Sequence, residues 1–169
     1  MPKILSQVVS GGQTGVDRAG LDAAIHSGIP HGGWCPEGRR AEDGKIPDRY
    51  DLRENESRNY AVRTRQNVKD SDGTLILFEE TKSRGTELTA KCARQLKRPL
   101  CCVDIVEFPD WSDDRFEEEL RTVARWIASN QIEVLNVAGP RESTSPGIGG
   151  IAQGFLIRLF DLEELTISP

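Results

Sequence analysis

The absences in this sequence narrow its class before any motif is read. No run approaches the roughly 18 apolar residues that a membrane-crossing helix needs. The opening MPKILSQVVS lacks the extended apolar stretch of a secretory signal, so the chain reads as cytoplasmic, with no membrane partner. Cys35, Cys92, Cys101 and Cys102 form no Cys-x-x-Cys pair, and His26 and His31 add no ligand spacing, which argues against a zinc site. Cys101 and Cys102 sit in the apolar run LCCVDI, and all four cysteines read as buried free thiols in a reducing compartment. A basic excess is also missing: 22 Lys and Arg against 27 Asp and Glu leave a net charge of −5. That argues against a nucleic-acid partner, which a basic footprint would announce. One small anionic ligand in a local basic pocket remains compatible. There is no internal repeat and no linker, and 169 residues suit one domain spanning 1–169 with a core of its own.

What is present is an alternation. Apolar runs at 4–10, 74–78, 99–105 and 133–138, with a weaker one at 31–35, are short, continuous and rich in Val, Ile and Leu, as strands buried on both faces must be. Between them lie helical patterns. The 16–27 segment places Leu21, Ala24 and Ile25 on one face and ends at Gly28. In 85–97, Leu88, Cys92 and Leu96 recur every four residues, and 113–129 carries an apolar stripe from Phe116 to Ile127. The last pattern, 146–160, has Ser145 as its expected cap and Pro146 in its first turn, and a further helix is expected over 57–69. Strand–helix alternation predicts an α/β fold: a doubly wound Rossmann-like domain with a mostly parallel five-stranded sheet. Placing the first and third strands side by side would bring their loops to one ligand, which favours the order 2-1-3-4-5. In that order the fifth strand is remote from the first. The polar, charged segment 35–60 is too long for a routine connection and reads as a functional cover or a mobile flap.

Three loops at the carboxyl ends of the strands carry the chemistry, because open parallel sheets bind ligands there. The first is SGGQTGVDR, with Gly11, Gly12, Gln13, Thr14, Gly15, Asp17 and Arg18. Glycines let backbone approach a ligand, and amides at a helix start favour negative charge. The spacing G-G-x-x-G is neither G-x-G-x-x-G nor the P-loop. Thr14 and Asp17 have capping-box spacing. The second loop offers Arg84, Gly85, Thr86 and Glu87 at the next helix start, and the third, GPRES, offers Gly139, Pro140, Arg141, Glu142 and Ser143. Repetition of glycine and hydroxyl at helix starts along one sheet edge points to a small phosphate-bearing ligand. Arg18, Arg39, Arg40, Lys45, Arg49, Arg63, Arg84 and Arg141 cluster in or near these loops of an acidic chain, and about half are expected to pair with neighbouring acids such as Glu37, Glu42, Asp43 and Asp48.

The motifs SGGQTGVDRAGLDAA, GWCPEGRRAEDGKIPDRY, NVKDSDGTLILF, RGTELT and LNVAGPRESTSPGI, in this order over nearly the whole chain, resemble the molybdenum-cofactor carrier family. That family belongs to a Rossmann-like superfamily that includes the "lonely guy" (lysine-decarboxylase-like) nucleotide-processing enzymes. The resemblance implies a parallel-sheet fold, often in a homo-oligomer, that binds molybdenum cofactor (molybdopterin), a pterin holding molybdenum through a dithiolene and ending in a phosphate. It implies phosphate binding at Gly11, Gly12 and Gly15 and at Gly85–Thr86, and makes Gly139 to Ser143 the family's own signature. Molybdoenzymes or cofactor-synthesis proteins would be its partners. The nucleotide-cleaving relatives carry a glutamate three residues after the threonine of their Gly-Thr motif. Here that position is Thr89, and the glutamate is Glu87. Since a helix turns about 100° per residue, the carboxylate moves to nearly the opposite side. The reading leans to a carrier without a catalytic residue. A nucleotide-hydrolysing enzyme using Asp17, Asp72, Glu87 or Glu142 as acid or base, and a nucleotide sensor without turnover, are the alternatives. Gly12→Asp is expected to abolish ligand retention while the fold survives.

Overall fold

The computed structural model describes residues 3–79, 84–105 and 107–166. The chain runs β1 (Gln7–Val9), α1 (Val16–His26), β2 (His31–Gly32), β3 (Trp34–Cys35), β4 (Arg40–Ala41), β5 (Gly44–Lys45), β6 (Arg53–Glu54), α2 (Tyr60–Lys69), β7 (Gly73–Phe78), α3 (Arg84–Gln95), β8 (Leu100–Asp104), α4 (Asp113–Ser129), β9 (Val134–Ala138) and α5 (Ile148–Phe160). Five strands form the expected parallel sheet, in the order β2-β1-β9-β7-β8. This corrects the predicted order. The last strand lies between the first and the third, pairing Val8 with Leu135 on one side and Leu75 with Val137 on the other. The reason is burial: β9 (VLNVA) is buried at its three central residues, as a central strand is, whereas β8 exposes Cys102 and leaves Leu100 and Cys101 half-buried, as an edge strand does.

Helices α1, α4 and α5 pack together on one face, where Val16, Ala23, Leu120, Ile127, Phe155 and Leu159 join Leu75, Leu135 and Val137 of the sheet in the main core. Helices α2 and α3 pack on the other, over a smaller cluster of Val68, Cys92 and Ala93. Gly28 ends α1 in the left-handed region (φ 68°), and the Ile29 amide reaches back to the Ala24 carbonyl at 2.9 Å, the glycine stop the sequence calls for.

Two local expectations fail. Helix α5 starts at Ile148 with Gly147 as its left-handed N-cap residue, not at Ser145–Pro146. Glu142 takes over the cap, its carboxylate accepting from the amides of Gly147 (2.7 Å) and Gly149 (2.9 Å). Of the four cysteines only Cys35 and Cys92 are buried, and Cys102 is exposed on the edge strand.

The 35–60 segment has a core of its own. Cys35, Ala41, Ile46, Tyr50 and Leu52 close on Leu21 of α1. Arg39 sits inside it in the left-handed region (φ 52°), and its guanidinium donates to the carbonyls of Ile46, Pro47, Tyr50 and Leu52 at 2.9–3.3 Å. The buried Tyr50 donates to Asp22 of α1 at 2.8 Å. The segment is a packed cover, held by its own apolar cluster and by charged hydrogen bonds to backbone.

Candidate functional site

A cavity of about 440 Å³ opens beyond the carboxyl ends of β1 and β9. Its walls come from four places: Gly11, Gln13 and Asp17 of the first loop and α1; Arg63, Thr64 and Asn67 of α2; Gly85 and Thr89 of α3; and the stretch from Asn136 of β9 through Gly139 to Arg141, Ser143 and Thr144. The sheet order makes this possible. With β9 beside β1, the GPRES loop lies against SGGQTG within one chain, and no long ligand or neighbouring subunit is needed to join them.

The floor is a buried ion pair. Arg63 Nη1 donates to Asp17 Oδ2 at 2.6 Å, with side-chain exposures of 10% and 8%. The same carboxylate oxygen accepts the Gln13 amide at 3.3 Å. Asp17 therefore spends its charge on the chain itself. The Gln13 side-chain carbonyl accepts the amides of Thr14 (3.1 Å) and Glu42 (2.9 Å), which fixes which end of the amide is oxygen and leaves its Nε2 as a donor. Gln13 Nε2 and Arg63 Nε are both buried and have no hydrogen-bond partner among the described residues. Such donors cost about 1–3 kcal/mol each when left unmet.

The three glycines serve the chain before any ligand. A Cβ on Gly11 would fall 1.2 Å from Arg63 Nη1, so the guanidinium lies directly on this residue. Gly12 (φ 74°) meets Leu52 of the cover at 2.6 Å, and Gly15 (φ 81°) meets the Pro140 carbonyl at 2.4 Å. The close approach that the loop permits is to its own neighbours. Gly12→Asp would strain this left-handed backbone and press on Leu52 and Ile46 of the cover as well as entering the loop.

The remaining predicted residues divide. Arg18 does not line the cavity: its Nε donates to the Gly12 carbonyl at 3.0 Å and its two Nη atoms grip Asp43 at 2.6 and 2.8 Å. That grip, by hydrogen bond and charge, holds the Asp43 carboxyl below its ordinary range. Thr14 and Asp17 do not form a capping box, for Thr14 Oγ1 donates to Glu42 and α1 has no side-chain cap. Glu142 caps α5, and the Pro140 carbonyl accepts the Val16 amide at 3.2 Å. Gly139 lies where a Cβ would come 2.2 Å from the Leu77 carbonyl. On α3, Gly85 and Thr89 face the cavity, Thr86 is buried and Glu87 is exposed. Arg84 begins α3, and its side chain lies outside the described residues. Asp72, a candidate acid–base residue, caps the opposite edge of the sheet, accepting the amides of Glu133 (3.1 Å) and Val134 (2.8 Å).

The guanidinium groups of Arg40, Arg63 and Arg141 lie 4.7, 5.7 and 5.4 Å from the centre of the Tyr60 ring. Glu42, from the cover, joins them: it accepts from Thr14 Oγ1, from Ser143 Oγ and from the Ser143 amide (3.2 Å), with Arg141 Nη1 at 3.8 Å. Burial pushes its carboxyl up, but the hydrogen bonds from Ser143 and Thr14 and the charge of Arg141 outweigh that and hold it below the ordinary range.

Comparison with known proteins fits this geometry. Residues 8–160 match the model of the family described as circularly permutated YpsA SLOG. The chain belongs to that family. No curated protein matches the chain. The 1.45 Å crystal structure of a "Putative molybdenum carrier protein" from Syntrophus aciditrophicus SB is 40% identical, covers 96% of this chain and 98% of its own, and superposes with a TM-score of 0.85.

Circular permutation explains the sheet. Counted from β9 instead of β1, the order β2-β1-β9-β7-β8 reads 3-2-1-4-5, the standard doubly wound arrangement. Its switch point, where neighbouring connections leave in opposite directions, falls between β9 and β7. Ligands in such sheets bind at this crevice, and the cavity's Asn136–Gly139 wall belongs to it. In this cpYpsA chain the α2 residues Thr64 and Asn67 and the β9 residue Asn136 are wall residues that were not among the expected site residues. Asn136 had a legible signal, a polar residue inside an apolar strand, and its Nδ2 donates to Thr74 Oγ1 at 3.3 Å. Asn67 is taken by Trp34, whose amide and carbonyl it clasps at 2.7 and 3.0 Å.

Proposed function

We propose that this chain is a carrier that binds a small, phosphate-bearing anionic ligand in the cavity at the switch point, and that the ligand is molybdenum cofactor. The observation that carries the reading is the pair of buried donors, Gln13 Nε2 and Arg63 Nε, unpartnered among the described residues, in the lining of a cavity whose lining carboxylate, Asp17, is already paired with Arg63. An acceptor-rich ligand supplies what the chain leaves unmet. The cavity, at about 440 Å³, lies within the roughly 300–1,000 Å³ of small-molecule sites.

The residues fit the organic part of the cofactor. Amide and guanidinium donors from Gln13 and Arg63 suit the heterocycle's oxygens and ring nitrogens. The α3 start at Gly85, where a Cβ would meet nothing within 4 Å among the described residues, suits a phosphate beside helix amides. Arg141, half-exposed at the mouth, adds charge. Among the described residues no group of three or more His, Cys, Asp or Glu gathers as a metal site. The cofactor brings its molybdenum on its own dithiolene, and this chain's part is to bind, orient and shield. The carrier name of the 40%-identical protein supports the same reading.

The test is purification in the presence of molybdenum cofactor followed by native mass spectrometry. A retained pterin mass is expected. A retained nucleotide, or bare protein, overturns the reading. Arg141→Ala should weaken retention by about tenfold, the worth of one charged hydrogen bond, and unchanged retention would remove it from the site.

A further inference from the structure

Glu42 is an acid of the cover whose carboxylate sits among donors of two other loops. One oxygen accepts from Thr14 Oγ1 and from the Ser143 amide, and the other accepts from Ser143 Oγ and lies 3.8 Å from Arg141 Nη1. Two hydroxyls, an amide and a guanidinium around two oxygens make a receptor for an oxyanion. Ser143 and Arg141 also line the cavity, so the carboxylate stands at its wall.

The cover has other ties besides this clasp. Its backbone at Glu42 is tied separately, through the amide to Gln13 Oε1 at 2.9 Å. Asp43 is held by Arg18, and Tyr50 by Asp22 at 2.8 Å. The Glu42 side chain can therefore swing out on a fixed backbone, leaving Thr14, Ser143 and Arg141 in place.

We propose that Thr14, Ser143 and Arg141 form an oxyanion subsite that Glu42 fills in this structure and that an incoming anionic group of the ligand takes from it. Glu42 is an internal competitor, which sets how strongly an anion must bind to enter. The proposal rests on the cavity being a ligand site, and it goes beyond that reading by naming the group to be displaced.

The experiment is calorimetric titration of the full chain with inorganic phosphate. Glu42→Gln keeps the size of the side chain, removes its charge and turns an amide donor toward the donors of the subsite. This variant should bind phosphate about tenfold more tightly than the unsubstituted protein. Adding Ser143→Ala to it should abolish the gain. Equal or weaker binding by Glu42→Gln, or no phosphate binding by either protein, overturns the subsite. Should Glu42→Gln fail to fold, Glu42→Asp, which withdraws the carboxylate by one methylene, should show the same ordering with smaller amplitude. Cofactor retention by the unsubstituted protein is read separately. Retention with unchanged phosphate affinity sinks only the subsite, whereas loss of retention sinks the carrier reading.

Discussion

Gly11 and Gly12 are neighbours that are glycine for different reasons, and substitution separates them. Gly12→Ala places a Cβ at φ 74° and 2.6 Å from Leu52 Cδ1. Left-handed strain and overpacking together should destabilise by roughly 1–3 kcal/mol, measured by urea unfolding. Gly11→Ala meets only the far end of Arg63, but it must push the guanidinium off Asp17. It should resemble Arg63→Met, which leaves Asp17 a buried charge without its partner and costs roughly 3–5 kcal/mol in the same measurement. If Gly11→Ala were neutral, the guanidinium would have another place to rest. That SGGQTG lies at the carboxyl edge of the sheet, where the cavity opens, was legible from glycine and position alone. What its glycines touch was not, because Arg63, Leu52 and Pro140 are brought there by tertiary structure from 40 to 125 residues away in the sequence.

The cover shows the same limit for a whole element. Its composition reads as loop, since its polar and charged residues outnumber its apolar ones and its strands are two residues long. Its order comes from its apolar cluster and from Arg39, one of the basic residues clustered near the site loops, which holds four carbonyls together from inside. Arg39→Gln should raise amide exchange across 39–52 and make the segment the first site of limited proteolysis, while exchange in β7 and β9 stays slow. Glu42 adds a pH dependence. Its carboxyl is held low in the folded chain, so its stabilisation is complete above its ordinary value of 4.5 and is lost as pH falls through the lower folded value. Thermal midpoints followed downward from pH 5 should fall less for Glu42→Gln than for the unsubstituted protein, and parallel curves would show that the clasp adds nothing to stability.

For the whole molecule, strand and helix positions were legible, because parallel strands must be apolar on both faces and helices must alternate with them. The strand order was not. It was inferred from which loops a ligand would join, and nothing local in VLNVA says that it inserts between two strands formed far earlier in the chain. The physical clue is that residues from the first and last described segments meet, where Lys3 pairs with Thr166 and the Ile4 amide donates to the Leu165 carbonyl at 2.7 Å. A protein with the present ends joined by a short Gly/Ser linker, and new ends opened at the exposed Asn130–Gln131 turn, should therefore fold to the same circular-dichroism spectrum with a thermal midpoint within a few degrees. A molten spectrum would mean that β1 must form before β9. The closure of the ends has a practical side as well. It lies on the rim where the parallel strands begin, and the mouth opens where they finish. A bead or a fluorophore attached beside Lys3 or Thr166 thus leaves the mouth facing solution, and the proposed uptake can be tested on immobilised molecules without the label standing in the way.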